Sequence, residues 1–228
     1  MYLPILLMIY FSFGPANDLF IGYKELLDLE LIGLVFQSIL ISLIVAILSI
    51  LLSLSMLLIT HKKLNYRLLS YYIIVPDIIS ALSFFHLIRL FHIQTGFWCL
   101  MCAYLIMSTF YSLVIMQNSL HSYETQILEE AACDLGASYF KIFTKITIPS
   151  MKSTIISAIC VSIIIILDDI VLSIFLSGSK FQTLASFMFS AMKFGKTIKL
   201  NALSSIVIFV FVFIFIYYHI LRCVKKPT

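Results

Sequence analysis

An uninterrupted run of uncharged, mostly apolar residues from 31 to 60 constrains the fold of this chain more than any other feature. A charge-free apolar stretch of about 18 residues or more is long enough to cross a bilayer as a helix. A membrane span must satisfy its own backbone hydrogen bonds, so it is either a helix or a strand of a closed barrel. Barrel strands alternate apolar and polar residues, and this run does not. The run therefore predicts a transmembrane helix.

The composition of the whole chain agrees with a membrane protein. Hydrophobic residues make up 62% of the 228 positions and charged residues only 11%, whereas soluble domains carry about 25% charged residues. The net charge of +4 is modest and gives no reason to expect nucleic-acid binding. We expect the basic residues to orient the chain in the lipid bilayer instead.

Further apolar segments predict an all-α polytopic protein with about six transmembrane helices. The predicted spans are residues 31–60, 68–88 with an interruption at Pro76-Asp77, 97–116, 153–178 with a break at Asp168-Asp169, 203–221, and a short segment at 1–13. Residues 1–13 lack the basic start of a signal peptide, so we expect a short or tilted first span there. The apolar piece at 184–192 is too short to span and suits an interfacial or re-entrant helix.

The orientation of the spans follows from the loops between them. Short basic loops stay on the cytoplasmic side of a membrane, and residues 61–67 form such a loop with Lys62, Lys63 and Arg67. Placing that loop inside also places residues 117–152 and both chain ends inside. The longest polar stretch of the chain is therefore predicted to be cytoplasmic.

This cytoplasmic stretch has the pattern of two short amphipathic helices joined at a glycine. In the first helix, Ile127, Ala131 and Leu135 repeat at four-residue spacing and form one apolar stripe. Gly136 can end this helix with a positive φ. Ser138 can cap the helix that follows.

The second helix has an apolar side and a basic side. Tyr139, Phe140, Phe143 and Ile146 form the apolar side, and Lys141 and Lys145 lie on the other. We expect Pro149 to begin the next membrane helix, where its missing N–H needs no partner.

Six residues of this stretch, Glu130, Ala131, Ala132, Gly136, Ile146 and Pro149, stand at a spacing that resembles the EAA loop of binding-protein-dependent ABC permeases. The family pattern is E-A-A, three residues, G, nine residues, then I-x-L-P, and the one departure here is Ile148 in place of Leu. The resemblance implies a type I ABC importer permease in the bacterial cytoplasmic (inner) membrane. It also implies that the loop is a coupling helix docked in a groove of a separate ATPase.

The chain has no complete nucleotide-binding motif of its own. Gly195-Lys196-Thr197 looks like the end of a phosphate-binding loop, but Ser190 stands where a Walker A motif needs its first glycine. No clustered catalytic or metal-ligating residues are visible in the sequence. We therefore expect a transport subunit without cofactor or enzymatic activity, with ATP bound by the partner ATPase.

Three acidic residues lie inside predicted spans, namely Asp77, Asp168 and Asp169. A charged group at membrane depth normally faces a water-filled cavity or a partner. These acids either form a negatively charged pathway for cationic solutes, or they cap broken helices, pair with lysines such as Lys180, or hold an outer gate. The residues alone do not decide between the two.

Several stretches also resemble the permeases of spermidine/putrescine importers, most of all the second of their two permease subunits. The similar stretches are residues 75–79, 96–98, 167–171 with Ser173, Phe175 and Ser177-Gly178, 189–192 and 201–203. The resemblance implies polyamine import with a homologous permease, two ATPase copies and an extracytoplasmic solute-binding protein. An ABC permease for thiamine, iron or an anion is the nearest alternative. An ion-driven secondary transporter would not explain the EAA pattern, and the absence of a clustered catalytic set argues against a membrane enzyme.

Overall fold

A computed structural model describes residues 12, 29–60, 73–120, 123–178, 181–194 and 200–205. All regular structure in these ranges is helical, which confirms the predicted all-α class. The predicted span at 1–13, apart from residue 12, the basic loop at 61–67 and most of the span at 203–221 lie outside the described residues. The chain divides into two compact units, one formed by residues 36–186 and the other by residues 1–35 and 187–228.

The described helices follow the predicted apolar segments. They are α1 (Leu29–Ile59), α2 (Asp77–Leu90), α3 (Phe97–Leu120), α4 (Tyr123–Asp134), α5 (Tyr139–Ile142), a π-helical turn (Phe143–Thr147), α6 (Ile148–Ser150), α7 (Lys152–Asp168), α8 (Val171–Leu176) and α9 (Leu184–Lys193). Residues 200–205 are helical as well. The piece at 184–192 is thus a helix, as predicted.

Two of these helices are long and apolar enough to cross a membrane alone. They comprise Leu31–Ile59 within α1 and Phe97–Gln117 within α3. A third candidate is the pair Tyr139–Ser150 and Lys152–Asp168, which is bent by 69°. The total of about six spans stays a prediction.

The segment predicted to span from 68 to 88 contains the expected interruption. Residues 73–74 are helical, and α2 begins only at Asp77, directly after Pro76. Proline disfavours helical geometry in the residue before it and suits a helix start. The carbonyl of Pro76 accepts the amides of Ile79 (2.9 Å) and Ser80 (3.2 Å), so the backbone itself forms the first turn.

One face of α1 consists of small residues, a feature that the sequence analysis did not use. Ser38, Ser42, Ala46, Ser49 and Ser53 recur at helical spacing and are all buried, whereas the leucines and isoleucines between them are largely exposed. Membrane helices approach each other closely through small residues, and their hydroxyls form hydrogen bonds between helices. The serine face of α1 is therefore its packing face, and its aliphatic faces suit lipid.

Hydrogen bonds from small residues join three helices of the unit formed by residues 36–186. Ser108 of α3 donates to Ser49 of α1 at 2.8 Å, and Ser53 donates to the Thr109 carbonyl at 3.2 Å. One turn further along α3, the Ser112 and Ser162 hydroxyls lie 3.2 Å apart and connect it to α7. Helix α3 is therefore central to this unit.

Two apolar clusters lie along α3 on either side of these hydrogen-bonded hydroxyls. The first comprises Ile41, Val45, Ala81, Ile88, Leu100, Ala103, Tyr104, Met107, Ile166, Leu172 and Leu176. The second comprises Ile50, Leu57, Leu113, Met116, Leu120, Phe143, Met151 and Ala158. In the other unit, Leu31, Ala191, Leu200, Ala202 and Leu203 are buried, and the Lys193 ammonium lies 4.7 Å from the Phe189 ring.

The end of α8 lies against the loop that precedes α3. Gly178 has φ +71°, and a Cβ built there would lie 2.8 Å from the Thr95 carbonyl oxygen and 3.4 Å from the Gly96 Cα. Both the backbone conformation and the close approach require glycine. Gly178 belongs to one of the stretches that resemble polyamine permeases, and the structure explains why a glycine is needed at this position.

We predict that Gly178→Ala lowers the thermal stability of the purified protein. The left-handed conformation costs a residue with a Cβ about 1–2 kcal/mol, and the contact with Thr95 adds to that cost. Gly96→Ala is the matched control, because a Cβ at Gly96 meets no atom within 4 Å. Equal melting temperatures for the two variants would contradict the close approach.

Candidate functional site

Helix α4 ends at Gly136 in the way that the sequence predicts. Gly136 has φ +77°. Its amide donates to the Cys133 carbonyl at 2.9 Å, and the Ala137 amide donates to the Ala132 carbonyl at 3.0 Å. These two bonds form a Schellman motif, which satisfies the last carbonyls of the helix. Ala131 and Ala132 therefore lie in the final turn of α4, immediately before a sharp change in chain direction.

The apolar stripe of α4 is exposed on the surface. Ile127 is 45% exposed and Leu135 is 88% exposed, and Ala131 between them is exposed as well. Glu130 is also exposed beside the stripe. We call Ile127, Ala131 and Leu135 the α4 stripe. Apolar side chains grouped in this way on a surface are typical of an interaction site.

The opposite side of α4 is joined to the π-helical turn by a short hydrogen bond. The Thr147 hydroxyl donates to the Glu129 carboxylate at 2.6 Å, and the Thr147 side chain is completely buried. The Tyr139 and Phe143 rings stack beside this bond with centroids 6.3 Å apart. Glu129 thus fastens α4 to the segment that leads into α7.

The predicted second amphipathic helix is not one regular helix. It consists of α5, the π-helical turn and α6, in which the Ile148 amide reaches back to the Phe143 carbonyl. The wider turn rotates the side chains relative to a regular helix. Ile142 and Phe143 are buried, while Phe140 is 63% exposed and does not belong to the buried side.

Pro149 does not begin the next membrane helix, which corrects the prediction. It lies in α6, while α7 begins at Lys152 after a bend of 69° at Met151. A proline ring crowds the carbonyl of the fourth preceding residue in a regular helix. The π-helical turn that precedes Pro149 removes that crowding, so the helical path continues to Ser150. Ser138 holds the predicted N-cap position of α5 without a side-chain cap.

Among the three acids that lie in predicted spans, the structure gives Asp169 a capping geometry. Its side chain is only 8% exposed, and it lies at the break between α7 and α8. The carboxylate accepts the Leu172 amide at 3.4 Å, the Ser173 amide at 3.2 Å and the Tyr104 hydroxyl at 3.1 Å. The first amides of a helix lack intrahelical partners. The Asp169 carboxylate accepts two of these amides in α8.

Within the described residues, neither of the other two acids shares a hydrogen bond with this cluster, although Asp77 lies close enough for its charge to act on the Asp169 carboxylate. Asp77 is exposed in the first turn of α2, and Asp168 is exposed at the last position of α7. A role for any of the three in contacting a solute stays a prediction. Within the described ranges, no group of three or more acidic, histidine or cysteine side chains is arranged to hold a metal ion.

Hydroxyl groups extend the Asp169 cluster to the start of α9, a connection that the sequence did not reveal. The Ser173 hydroxyl lies 2.7 Å from the Tyr104 hydroxyl and 2.8 Å from the Thr183 hydroxyl. Thr183 and Ser186 cap each other reciprocally, because each side chain accepts the backbone amide of the other at 3.3 Å and 3.1 Å. The Leu184 amide donates to Ser38 of α1 at 3.0 Å.

A small cavity of about 10 Å³ adjoins these hydroxyls. It is lined by Ser38, Ile41, Tyr104, Ile166, Leu167, Thr183 and Leu184. A volume of this size holds about one water molecule. It is too small for an organic solute.

Comparison with known proteins gives a consistent set of relatives. Residues 49–226 match a protein family described as binding-protein-dependent transport system inner membrane component. The spermidine/putrescine transport system permease protein PotC of Haemophilus influenzae is 38% identical over 133 residues, which cover 58% of this chain and 51% of the relative. The putrescine transport system permease protein PotI of Escherichia coli K12 is 32% identical over 142 residues, which cover 60% of this chain and 50% of the relative. The chain spans about half the length of the curated relatives it matches.

We predict that Thr147→Val and Glu129→Ala each destabilise the purified protein, and that the two losses are not additive. A hydrogen bond to a charged group contributes about 1.5–3 kcal/mol, and valine keeps the shape of threonine without its hydroxyl. Thr144→Val is the control, because the exposed Thr144 hydroxyl donates to backbone carbonyls of its own segment. Thermal unfolding of the wild type, the two single variants and the double variant measures the interaction energy of the pair. Full additivity would show that Glu129 does not fasten α4.

Proposed function

The chain belongs to the family of binding-protein-dependent transport system inner membrane components, and we propose that it is a permease subunit of an ATP-driven ABC importer for polyamines. In this proposal it lies in the bacterial cytoplasmic membrane as a multi-pass protein and forms half of an alternating-access pathway with a homologous permease. A separate pair of ABC ATPases binds and hydrolyses ATP, so this chain needs no cofactor. An extracytoplasmic solute-binding protein delivers the solute.

The exposed α4 stripe carries the proposal that α4 is the coupling helix. An exposed apolar stripe that ends in small alanines and a tight glycine turn can enter a groove at close range. Ala131 is exposed and Ala132 is half-buried, so neither keeps a partner backbone at a distance. The exposed Glu130 lies beside the stripe, where charged groups occur at the rim of interfaces. We therefore assign the ATPase contact to Glu130, Ala131, Ala132 and Gly136.

The connection from α4 to the membrane helices supports a mechanical role. Glu129 joins α4 to Thr147 in the π-helical turn, and the chain bends at Met151 into α7. Ile146 and Pro149 lie in this connection rather than on the stripe. When two ATPases close on ATP, a displacement of α4 moves the start of α7 with it, as in other rigid-body transitions. The proposal thus gives these two residues a transmitting role.

Polyamines are the proposed solute because both named relatives are polyamine permeases by description. An ammonium-rich solute also suits a chain that keeps the acidic residues Asp77 and Asp168 exposed at helix ends. A permease of the same class for thiamine, iron or an anion would share the family and the α4 stripe. The solute therefore needs a test of its own.

We predict that Leu135→Glu and Gly136→Asp abolish co-purification of the ATPase without preventing membrane insertion. Leu135 is 88% exposed, so a charge there has little effect on folding but would be desolvated in an apolar groove. Leu135→Met is the matched control, because it keeps an apolar side chain of similar size. Normal ATPase association and normal uptake in both charged variants would refute the docking role.

We predict that the chain, co-expressed with its second permease, ATPase and binding protein, imports labelled spermidine or putrescine in an ATP-dependent manner. Unlabelled polyamine should compete with uptake, while thiamine, ferric iron and inorganic anions should not. Import of one of those competitors instead would keep the permease assignment and refute the polyamine assignment. Uptake without ATP hydrolysis would refute the ABC mechanism.

A further inference from the structure

We propose that the two neighbouring acids have different tasks. In this proposal Asp169 is a positioning residue that fixes the break between α7 and α8, and Asp168 presents the charge that meets a cationic solute. The part concerning Asp168 rests on the proposed function. The part concerning Asp169 rests on its geometry alone.

The Asp169 carboxylate is already occupied by the protein. Both of its oxygens accept hydrogen bonds, from Leu172 and Ser173 of α8 and from Tyr104 of α3. The Ser173 hydroxyl returns a bond to the Asp169 carbonyl at 3.1 Å. A solute ammonium group would have to displace several of these bonds in a buried site, where an unsatisfied amide is costly. Asp169 is therefore unsuited to a transient contact.

The bonds of Asp169 hold α8 to other elements of the same unit. Tyr104 connects the break to α3, and Ser173 connects it through Thr183 to the start of α9. The other end of α8 is fixed as well, because Gly178 lies against the backbone of Thr95 just before α3. Both ends of α8 are therefore held against α3 or the loop that precedes it. The break thus has a defined geometry.

Asp168 differs from its neighbour in every one of these respects. It is exposed, and within the described ranges its carboxylate makes no hydrogen bond or ion pair. It lies on the side of α7 away from Ser162 and Ile166, which are buried. A carboxylate at membrane depth does not remain against lipid and instead faces water or a partner. Asp168 is therefore the member of the pair that is available to a solute.

The test compares three variants in the complete reconstituted transporter. Asp168→Asn removes the free charge, Asp169→Asn removes the charge and keeps one of the two oxygens that accept the α8 amides, and Asp169→Ala removes the cap. Uptake of spermidine and of putrescine is measured for each, because these two solutes differ in charge. The ratio of the two uptake rates reports a charge contact, which a purely structural role would not change.

We expect Asp168→Asn to lower the spermidine-to-putrescine ratio, since the more highly charged solute loses more. Asp169→Asn should keep the wild-type ratio and most of the uptake. Asp169→Ala should lower uptake of both solutes by about tenfold and leave the ratio unchanged. An altered ratio in Asp169→Asn, or an unaltered ratio in Asp168→Asn, would overturn the division of tasks.

Thermal unfolding of the purified protein tests the Asp169 part independently of the solute. Asp169→Ala, Tyr104→Phe and Ser173→Ala should each lower the melting temperature, with combined losses smaller than their sum because they belong to one network. Asp168→Ala should leave it unchanged. If wild-type protein transports neither polyamine, the solute assignment and the Asp168 task fail. If Asp169→Ala melts at the wild-type temperature, the positioning role fails.

Discussion

The hydrogen bonds from the first amides of α8 to the buried Asp169 carboxylate are the interaction on which the arrangement of residues 95–186 depends. A span that breaks inside a membrane leaves amides and carbonyls without partners and without water to replace them. The Asp169 carboxylate accepts two of these amides in α8, and it also accepts a hydrogen bond from the Tyr104 hydroxyl of α3. The cap therefore also determines where α8 lies. Once α8 is placed, Gly178 reaches Thr95.

Helix α7 connects this capped break to the proposed coupling segment. At one end it meets the break at Asp169, and at the other it meets the bend at Met151. Between these points, Ala158, Ser162 and Ile166 are buried at four-residue spacing, and Ser162 contacts Ser112 of α3. A straight helix held along one face transmits a displacement as a unit. The changes of chain direction thus lie at the two ends of α7.

The sequence predicts features that are local and misses features that depend on distant residues. Gly136 is predictable because a glycine after an amphipathic helix commonly takes a positive φ as its end. The Asp169 cap is not, since Tyr104 lies 65 positions away in the chain. The sequence predicts the wrong helix position for Pro149 because it does not reveal the π-helical turn before it. That turn begins at Phe143, which is buried in the second apolar cluster. The serine face of α1 carries a readable signal, namely small residues at helical spacing, that an analysis based on hydropathy overlooks.

The adjacency of Asp168 and Asp169 has a geometric consequence at the break. Consecutive side chains in a helix point about 100° apart, and Asp169, with ψ 114°, turns the chain out of α7 directly after Asp168. Two neighbouring acids at this point therefore cannot both turn inward to cap α8. One is satisfied by the amides of the following helix, and the other is left on the outer side of the helix that ends there. The break thus places the hydrogen-bonded Asp169 next to the exposed Asp168. Because Asp169 fixes the geometry of the break, it also determines where the Asp168 carboxylate lies.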